Sequence, residues 1–152
     1  MSEQDFKKDD IYTQITYMLL MLLEIHDAPS YLHSLRVSSL AERMAIELGL
    51  LKGDVEGARV GGLLHDIGTL AMCVTHPDMV RKVMDTVHES GQATHVIEQI
   101  QLGFDHTDVG SELLKKWGLP EGLQAAVNGH HQPGQVKEHA LDAAIIHIAT
   151  SF

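Results

Sequence analysis

Five histidines and one aspartate in this chain combine the chemistry of metal ligands with positions that favour burial. The most informative are His65 and Asp66, which follow the apolar and small residues Gly61-Gly62-Leu63-Leu64. A charged pair behind such a run must be satisfied inside the fold, because an unpaired buried carboxylate is too costly to keep. The other four histidines of the set lie upstream and downstream of this pair: His33, His106, His130 and His131.

Imidazole and carboxylate ligands without sulfur suit Fe, Mn, Zn or Ni and do not distinguish among these metals. Because a carboxylate has two oxygens, Asp66 can bridge two ions. On this hypothesis His33 and His65 bind one ion, and His106 binds the other together with His130 or His131. Two such ions would clamp a phosphoryl group and acidify a bridging water into a nucleophile near neutral pH.

Each of these histidines also has an ordinary structural interpretation. His33 can be a satisfied helix residue, His106 can help to cap a helix, and His130-His131 can end a helix, where cationic side chains suit the dipole. The order and flanks of all six residues together favour the metal site. His147 is intermediate, on the last apolar helix. The remaining histidines lack apolar flanks and are predicted to lie at the surface: His26, His76, His88, His95 and His139.

Length and apolar content predict one domain over residues 1–152, with an N-terminal helix over 1–26 and a core over 27–152. The longest apolar run, Ile15 to Leu23, is under half of the ~20 residues that a bilayer helix needs. Glu3 and Asp5 precede the first lysine, which argues against a signal peptide. We therefore expect a cytoplasmic protein that does not enter a membrane.

The formal net charge of -10, with scattered basic residues, argues against binding of a nucleic acid polymer. A small anionic ligand held by metal and one or two cations remains compatible with it. The single cysteine, Cys73, excludes an internal disulfide and a thiolate metal cage. Its apolar neighbours predict a buried, inert thiol.

Apolar residues recur at helical spacing between breakers, and no stretch alternates for long at strand period, so we predict an all-α domain. Pro77 opens a helix, Asp54 and either Asp105 or Thr107 cap helices, and Gly68 ends one. An apolar helix without a C-terminal cap ends the sequence, which suggests that the natural polypeptide continues. The predicted helices lie near 9–26, 30–50, 54–67, 77–90, 94–102, 106–117, 120–130 and 138–151.

Several of these segments resemble the HD superfamily of metal-dependent phosphohydrolases. The stretch from His33 to Ala41, HSLRVSSLA, resembles the first-histidine helix of HD-GYP cyclic di-GMP phosphodiesterases, and LLHDIG resembles the superfamily signature. From Gly103 onward, GFDHTDVGSELLKKWGLPE and then NGHHQP are similar to the HDOD branch. The resemblance runs from about Asp27 to the end. It implies an HD-type helical bundle with a metal site.

Three positions depart from the phosphohydrolase pattern. Thr69 stands where these enzymes commonly have a lysine after HDIG, and Gln132-Pro133-Gly134-Gln135 replaces the Gly-Tyr-Pro loop of HD-GYP members. The last core helix of the superfamily ends its ligand set with an aspartate, and the matching residue here is Thr150. A hydroxyl is a far poorer ligand than a carboxylate.

The resemblance therefore implies two classes of function. As an enzyme, the domain would hydrolyse a phosphate ester or nucleotide, with Asp66 holding the ions and Arg36 or another cation binding the phosphate. As a sensory or output module, it would hold metal without turnover and pass the ligand state to a signalling partner or a second copy in a homodimer. A di-iron site for oxygen-dependent chemistry is a third alternative.

Overall fold

The computed structural model describes residues 14, 16–18, 21, 24, 25 and 27–152. The regular secondary structure of these residues is helical, with no β-strand among them, which confirms the all-α prediction. The helix predicted over 9–26 lies mostly outside the described residues. From Ala28 onward the helices are α1 Ala28–Glu47, α2 Lys52–Leu64, α3 Ile67–Thr75, α4 Pro77–Ser90, α5 Thr94–Leu102, α6 His106–Lys116, α7 Glu121–Gly129, a short 3-10 turn Pro133–Gln135, and α8 Ala140–Thr150.

The core lies where α1 packs along α2 and where α8 covers both of them. Small residues allow the first two helices to approach closely: a Cβ on Gly62 would lie 2.6 Å from the Cα of Ser38, and Ala41 is fully buried. The hydroxyl of Ser38 donates a hydrogen bond of 2.8 Å to the carbonyl of Arg59 across this contact. The crossing brings the beginning of α1, with His33, to the end of α2.

The chain breaks its helix at the His65-Asp66 pair. Helix α2 ends at Leu64, and α3 begins at Ile67. The prediction of one helix over 54–67 that stops at Gly68 was wrong, because Gly68 lies in the first turn of α3, which packs against α6. The prediction that Asp54 caps α2 was also wrong, because Leu51 is the N-cap residue.

Boundaries with strong local signals agree with the sequence. Helices α4 and α5 begin and end where they were predicted, and each is followed by a glycine with positive φ, Gly91 at 68° and Gly103 at 78°. Asp105 caps α6, since its side chain accepts hydrogen bonds from the backbone N–H groups of Thr107 and Asp108.

Two surface features complete the description. Cys73 is exposed, so the prediction of a buried thiol was wrong. Among the described residues, no helix combines the length and apolar character needed to cross a bilayer.

Candidate metal centre

The six predicted ligands meet at the helix break. His33 comes from α1, His65 and Asp66 from the junction between α2 and α3, and His106 from the first residue of α6. The remaining two follow directly after α7: His130 and His131. They form two groups, His33 with His65 and Asp66, and His106 with His130 and His131. Within each group one ligand atom per residue lies within 4.8 Å of the others.

The carboxylate of Asp66 lies between the two groups. Its Oδ2 is 3.0 Å from Nε2 of His65. Its Oδ1 is 3.5 Å from Nε2 of His106 and 3.7 Å from Nε2 of His130. The Asp66 side chain is 37% exposed, whereas those of His65 and His130 are 1% exposed. The carboxylate is therefore more open to solvent than the imidazoles of His65 and His130.

Three of the histidines are tethered through Nδ1 on the side away from Asp66. Nδ1 of His65 is 2.9 Å from the carbonyl oxygen of Gly62, and Nδ1 of His130 is 2.8 Å from that of Val127. Nδ1 of His106 is 2.6 Å from Oε2 of Glu98. Carbonyl and carboxylate oxygens accept, so each Nδ1 donates its proton to them and each ring turns its Nε2 toward the centre.

One of these nitrogens is left without a partner. Nε2 of His130 is buried and has no hydrogen-bond partner among the described residues. A buried polar atom in this state normally costs about 1–3 kcal/mol, so its persistence calls for an explanation. In the second group, Nε2 of His131 lies 3.0 Å from Nε2 of His106. Two such nitrogens repel unless a proton or a cation lies between them.

The protonation states of the cluster suit a cation. Burial and the neighbouring His65 lower the pKa of His130 to about 4. Burial and the neighbouring His130 and His106 lower the pKa of His131 to about 3. Burial alone would raise the pKa of Asp66, but the hydrogen bond from His65 and the surrounding histidines hold it well below its usual range. Neutral imidazoles and an ionised carboxylate are the forms that bind metal.

The pKa of His106 is raised, whereas the pKa values of His130 and His131 are lowered, and the carboxylate of Glu98 contributes to this difference. Burial would lower the pKa of His106, but the hydrogen bond to Glu98 and the charges of Asp66 and Glu98 raise it. Glu98 is itself buried, and one of its oxygens also accepts the backbone N–H of His106 at 3.0 Å.

Sequence reasoning missed two residues around the predicted ligands, Glu98 and His95, and left His147 undecided. Besides Glu98, His95 stacks on His131 with ring centroids 4.0 Å apart, so its predicted surface position was wrong. His147 is half-buried and its Nδ1 lies 2.7 Å from the carbonyl of His130. His95 and Glu98 are three residues apart and share one face of α5 directly before His106, and this spacing was the available signal. His76, His88 and His139 are exposed, as predicted, and His26 lies outside the described residues.

The remaining predicted positions lie around the same cluster. Arg36 is exposed on α1, one turn after His33, and its charge helps burial and His65 to lower the pKa of His33. Thr69 is half-buried in the first turn of α3. The hydroxyl of Thr150 donates a hydrogen bond of 2.8 Å to the carbonyl of His147. The roles of Arg36 in phosphate binding and of the six residues in metal binding stay predictions.

A helical bundle that gathers a His-Asp pair with four further histidines is an HD-type domain. This chain belongs to the HDOD domain family, whose match covers residues 18–133. It is 35% identical over 106 residues to ribonuclease Y of Aquifex aeolicus, a match that covers 70% of this chain and 14% of ribonuclease Y. The chain thus corresponds to a small part of that relative.

Solved structures share the fold. A crystal structure of an HDOD domain protein with unknown function from Geobacter sulfurreducens matches with a TM-score of 0.73 and 29% identity, over 78% of this chain and 40% of that chain. A candidate phosphohydrolase from Shewanella amazonensis matches with a TM-score of 0.72 and 22% identity, over 78% of this chain and 43% of that one. At that identity the second likeness shows the fold alone.

Proposed function

We propose that this chain is a metal-binding domain of bacterial-type signalling, that it holds two divalent transition-metal ions, and that it hydrolyses small phosphate esters or nucleotides. The observation that carries the proposal is the position of Asp66, with one carboxylate oxygen near His65 and the other near His106 and His130. A bridging carboxylate between two imidazole groups requires this arrangement.

The donor set fits a metal in its chemistry as well as in its positions. Metal-binding histidines typically donate the other ring N–H to a carbonyl or carboxylate, which fixes the tautomer and the ring orientation. His65, His106 and His130 each make such a bond. The unpartnered Nε2 of His130 is a lone pair that a cation would satisfy. Nitrogen and oxygen ligands leave Fe, Mn, Zn and Ni as candidates.

In the proposed reaction the residues of the chain hold the ions, orient the substrate and neutralise the charge of its phosphate. Two bound ions would supply Lewis acidity and lower the pKa of a water molecule so that it can attack phosphorus near neutral pH. Asp66 holds both ions, and its exposed side leaves the approach for the substrate. Arg36, at the surface of α1 near His33, binds the phosphate.

The substrate class follows from the relatives and from charge. Ribonuclease Y acts, by its name, on RNA, which is a phosphodiester, and this supports a phosphate ester as the substrate. The net charge of -10 disfavours a long polyanion and favours a small ligand. We therefore place a small phosphate ester or nucleotide ahead of an RNA strand.

A second candidate is a sensory or output module that binds metal without turnover. It is favoured by Thr150, where the superfamily pattern has an aspartate, because the hydroxyl is engaged with the backbone of its own helix. In this case the partner is a signalling protein or a second copy of the chain.

Metal content and hydrolysis measured together test both candidates. Protein purified without added metal is analysed for its elements and assayed on p-nitrophenyl phosphate, beside Asp66→Asn. Asp78→Asn, with a side chain 88% exposed, controls for loss of a negative charge. Two equivalents with hydrolysis that requires Asp66 support the enzyme. Two equivalents without hydrolysis support the module, and absence of metal after reconstitution overturns the metal site.

A further inference from the structure

We infer that Glu98 is a positioning residue, which holds His106 and makes the group of His106, His130 and His131 the tighter of the two metal sites. This inference rests on the proposed function, because it assigns different affinities to the two proposed ions. It concerns a residue of α5 that is not part of the predicted ligand set.

One oxygen of Glu98 holds both the backbone and the imidazole ring of His106. Oε2 accepts the backbone N–H of His106 at 3.0 Å and the ring Nδ1–H at 2.6 Å. The two bonds tie the imidazole to its own main chain through a single acceptor. The Glu98 side chain is 4% exposed, so water does not compete for this oxygen. Nε2 of His106 therefore keeps its direction toward Asp66 and His131.

The group that accepts the Nδ1 hydrogen bond of His106 is charged, whereas the acceptors of the neighbouring histidines are neutral. His65 and His130 donate to the neutral carbonyls of Gly62 and Val127. A hydrogen bond to a carboxylate is about twice as strong as one between neutral groups. Such a bond also raises the basicity of the ligand, which strengthens its bond to a metal. Among the site histidines whose Nδ1 partner is described, His106 alone has this advantage, which places the tighter ion in its group.

Capping of α6 does not account for the carboxylate at this position. Asp105 already accepts the N–H groups of Thr107 and Asp108 and forms a capping box with Asp108. A second buried acid at this helix start carries a desolvation cost that capping does not require. What Glu98 adds beyond the cap is its contact with the ring of His106.

Titration of the metal-free full chain with Co2+ tests the assignment, with the visible spectrum reporting the geometry of each equivalent. Glu98→Gln keeps an oxygen acceptor but removes the charge, and Glu98→Leu removes the acceptor. Asp105→Asn is the matched control, because it perturbs the same helix start without touching the ring. We expect the tight equivalent to weaken by about 10- to 100-fold in Glu98→Gln and further in Glu98→Leu, with the weaker equivalent and the control unchanged.

A measurement without metal separates the possible failures. In nitrogen-proton NMR of the metal-free protein, a slowly exchanging imidazole N–H of His106 should be present in the wild type and in Asp105→Asn and absent in Glu98→Leu. Absence of this resonance in the wild type overturns the inference. A tight equivalent that keeps its wild-type affinity in Glu98→Gln, or an equal loss in Asp105→Asn, overturns the inference while leaving the proposed function intact. A wild type that binds no cobalt overturns both.

Discussion

Gly68 packs backbone to backbone against His106. A Cβ added to Gly68 would overlap the carbonyl oxygen of His106 and lie 2.7 Å from the backbone nitrogen of Gly110. Helix α3 can thus rest on the first turns of α6 only because residue 68 has no side chain. The glycine of the HDIG sequence sets the distance between the helix that follows Asp66 and the helix that begins with His106.

Gly68→Ala is expected to destabilise the fold. The added methyl has no space, and overpacking of this kind costs about 1–3 kcal/mol. Gly57→Ala is the matched control, because a Cβ added there would meet nothing within 4 Å and the residue stands inside α2. There the exchange should stabilise by about 0.5–1 kcal/mol. Thermal unfolding of both variants is the measurement, and a Gly68→Ala protein as stable as Gly57→Ala would contradict the packing argument.

Asp66→Ala should remove bound metal more completely than His130→Ala or His131→Ala. Asp66 lies near both histidine groups, whereas His130 and His131 belong to one group, in which each can partly replace the other. Asp66 is the N-cap residue of α3 but makes no capping hydrogen bond with its side chain, so its loss should leave the helix start intact. Elemental analysis of the three folded variants is the measurement. Equal loss in all three would argue against a bridge.

Thr150→Asp should tighten the ion held by His33, His65 and Asp66. The new carboxylate supplies the anionic ligand that the superfamily pattern places there. Without metal it should instead cost about 0.3–1 kcal/mol, because a negative charge at the C-terminus of α8 opposes the helix dipole. Thr150→Asn is the neutral control. Metal titration and melting curves with and without metal distinguish these effects, and equal affinity in both variants would mean that position 150 does not face the site.

Turnover of cyclic di-GMP should be weak or absent, while a generic aryl phosphate ester is cleaved slowly. Each missing group that would neutralise charge in the transition state can cost on the order of 10²-fold or more. Thr69→Lys should raise the rate, and Thr75→Lys, at the exposed far end of α3, adds the same charge as a control. Steady-state assays of metal-loaded proteins are the measurement. Robust hydrolysis of cyclic di-GMP by the wild type would contradict the prediction.

Local signals predicted much of the fold, and failed where a distant contact decides the structure. Helices α4 and α5 end before Gly91 and Gly103, which have positive φ. Glycine adopts this conformation more readily than other residues, so the residue type alone indicates the helix end. Gly68 looks the same in sequence, but its small size serves the contact with α6. The rule for helix ends therefore predicted a stop where a new helix begins, and α3 was missed.

The candidate site divides in the same way. Its six candidate ligand positions could be selected from motifs, and the structure brings them together as two groups. Glu98 and His95 could not be selected, because their contacts with His106 and His131 depend on how α5 lies against the histidines. The sequence shows that they share a helix face, but it does not show which residues that face contacts.

The junction at Asp66 also bears on how such domains change over generations. The helix that follows Asp66 does not use this side chain as a cap, while Gly68, two residues later, is essential to the packing. Selection can therefore act on the two halves of one short motif independently. A chain that exchanged this aspartate would lose the proposed metal bridge and keep the same bundle, because the glycine would still be required where α3 meets α6.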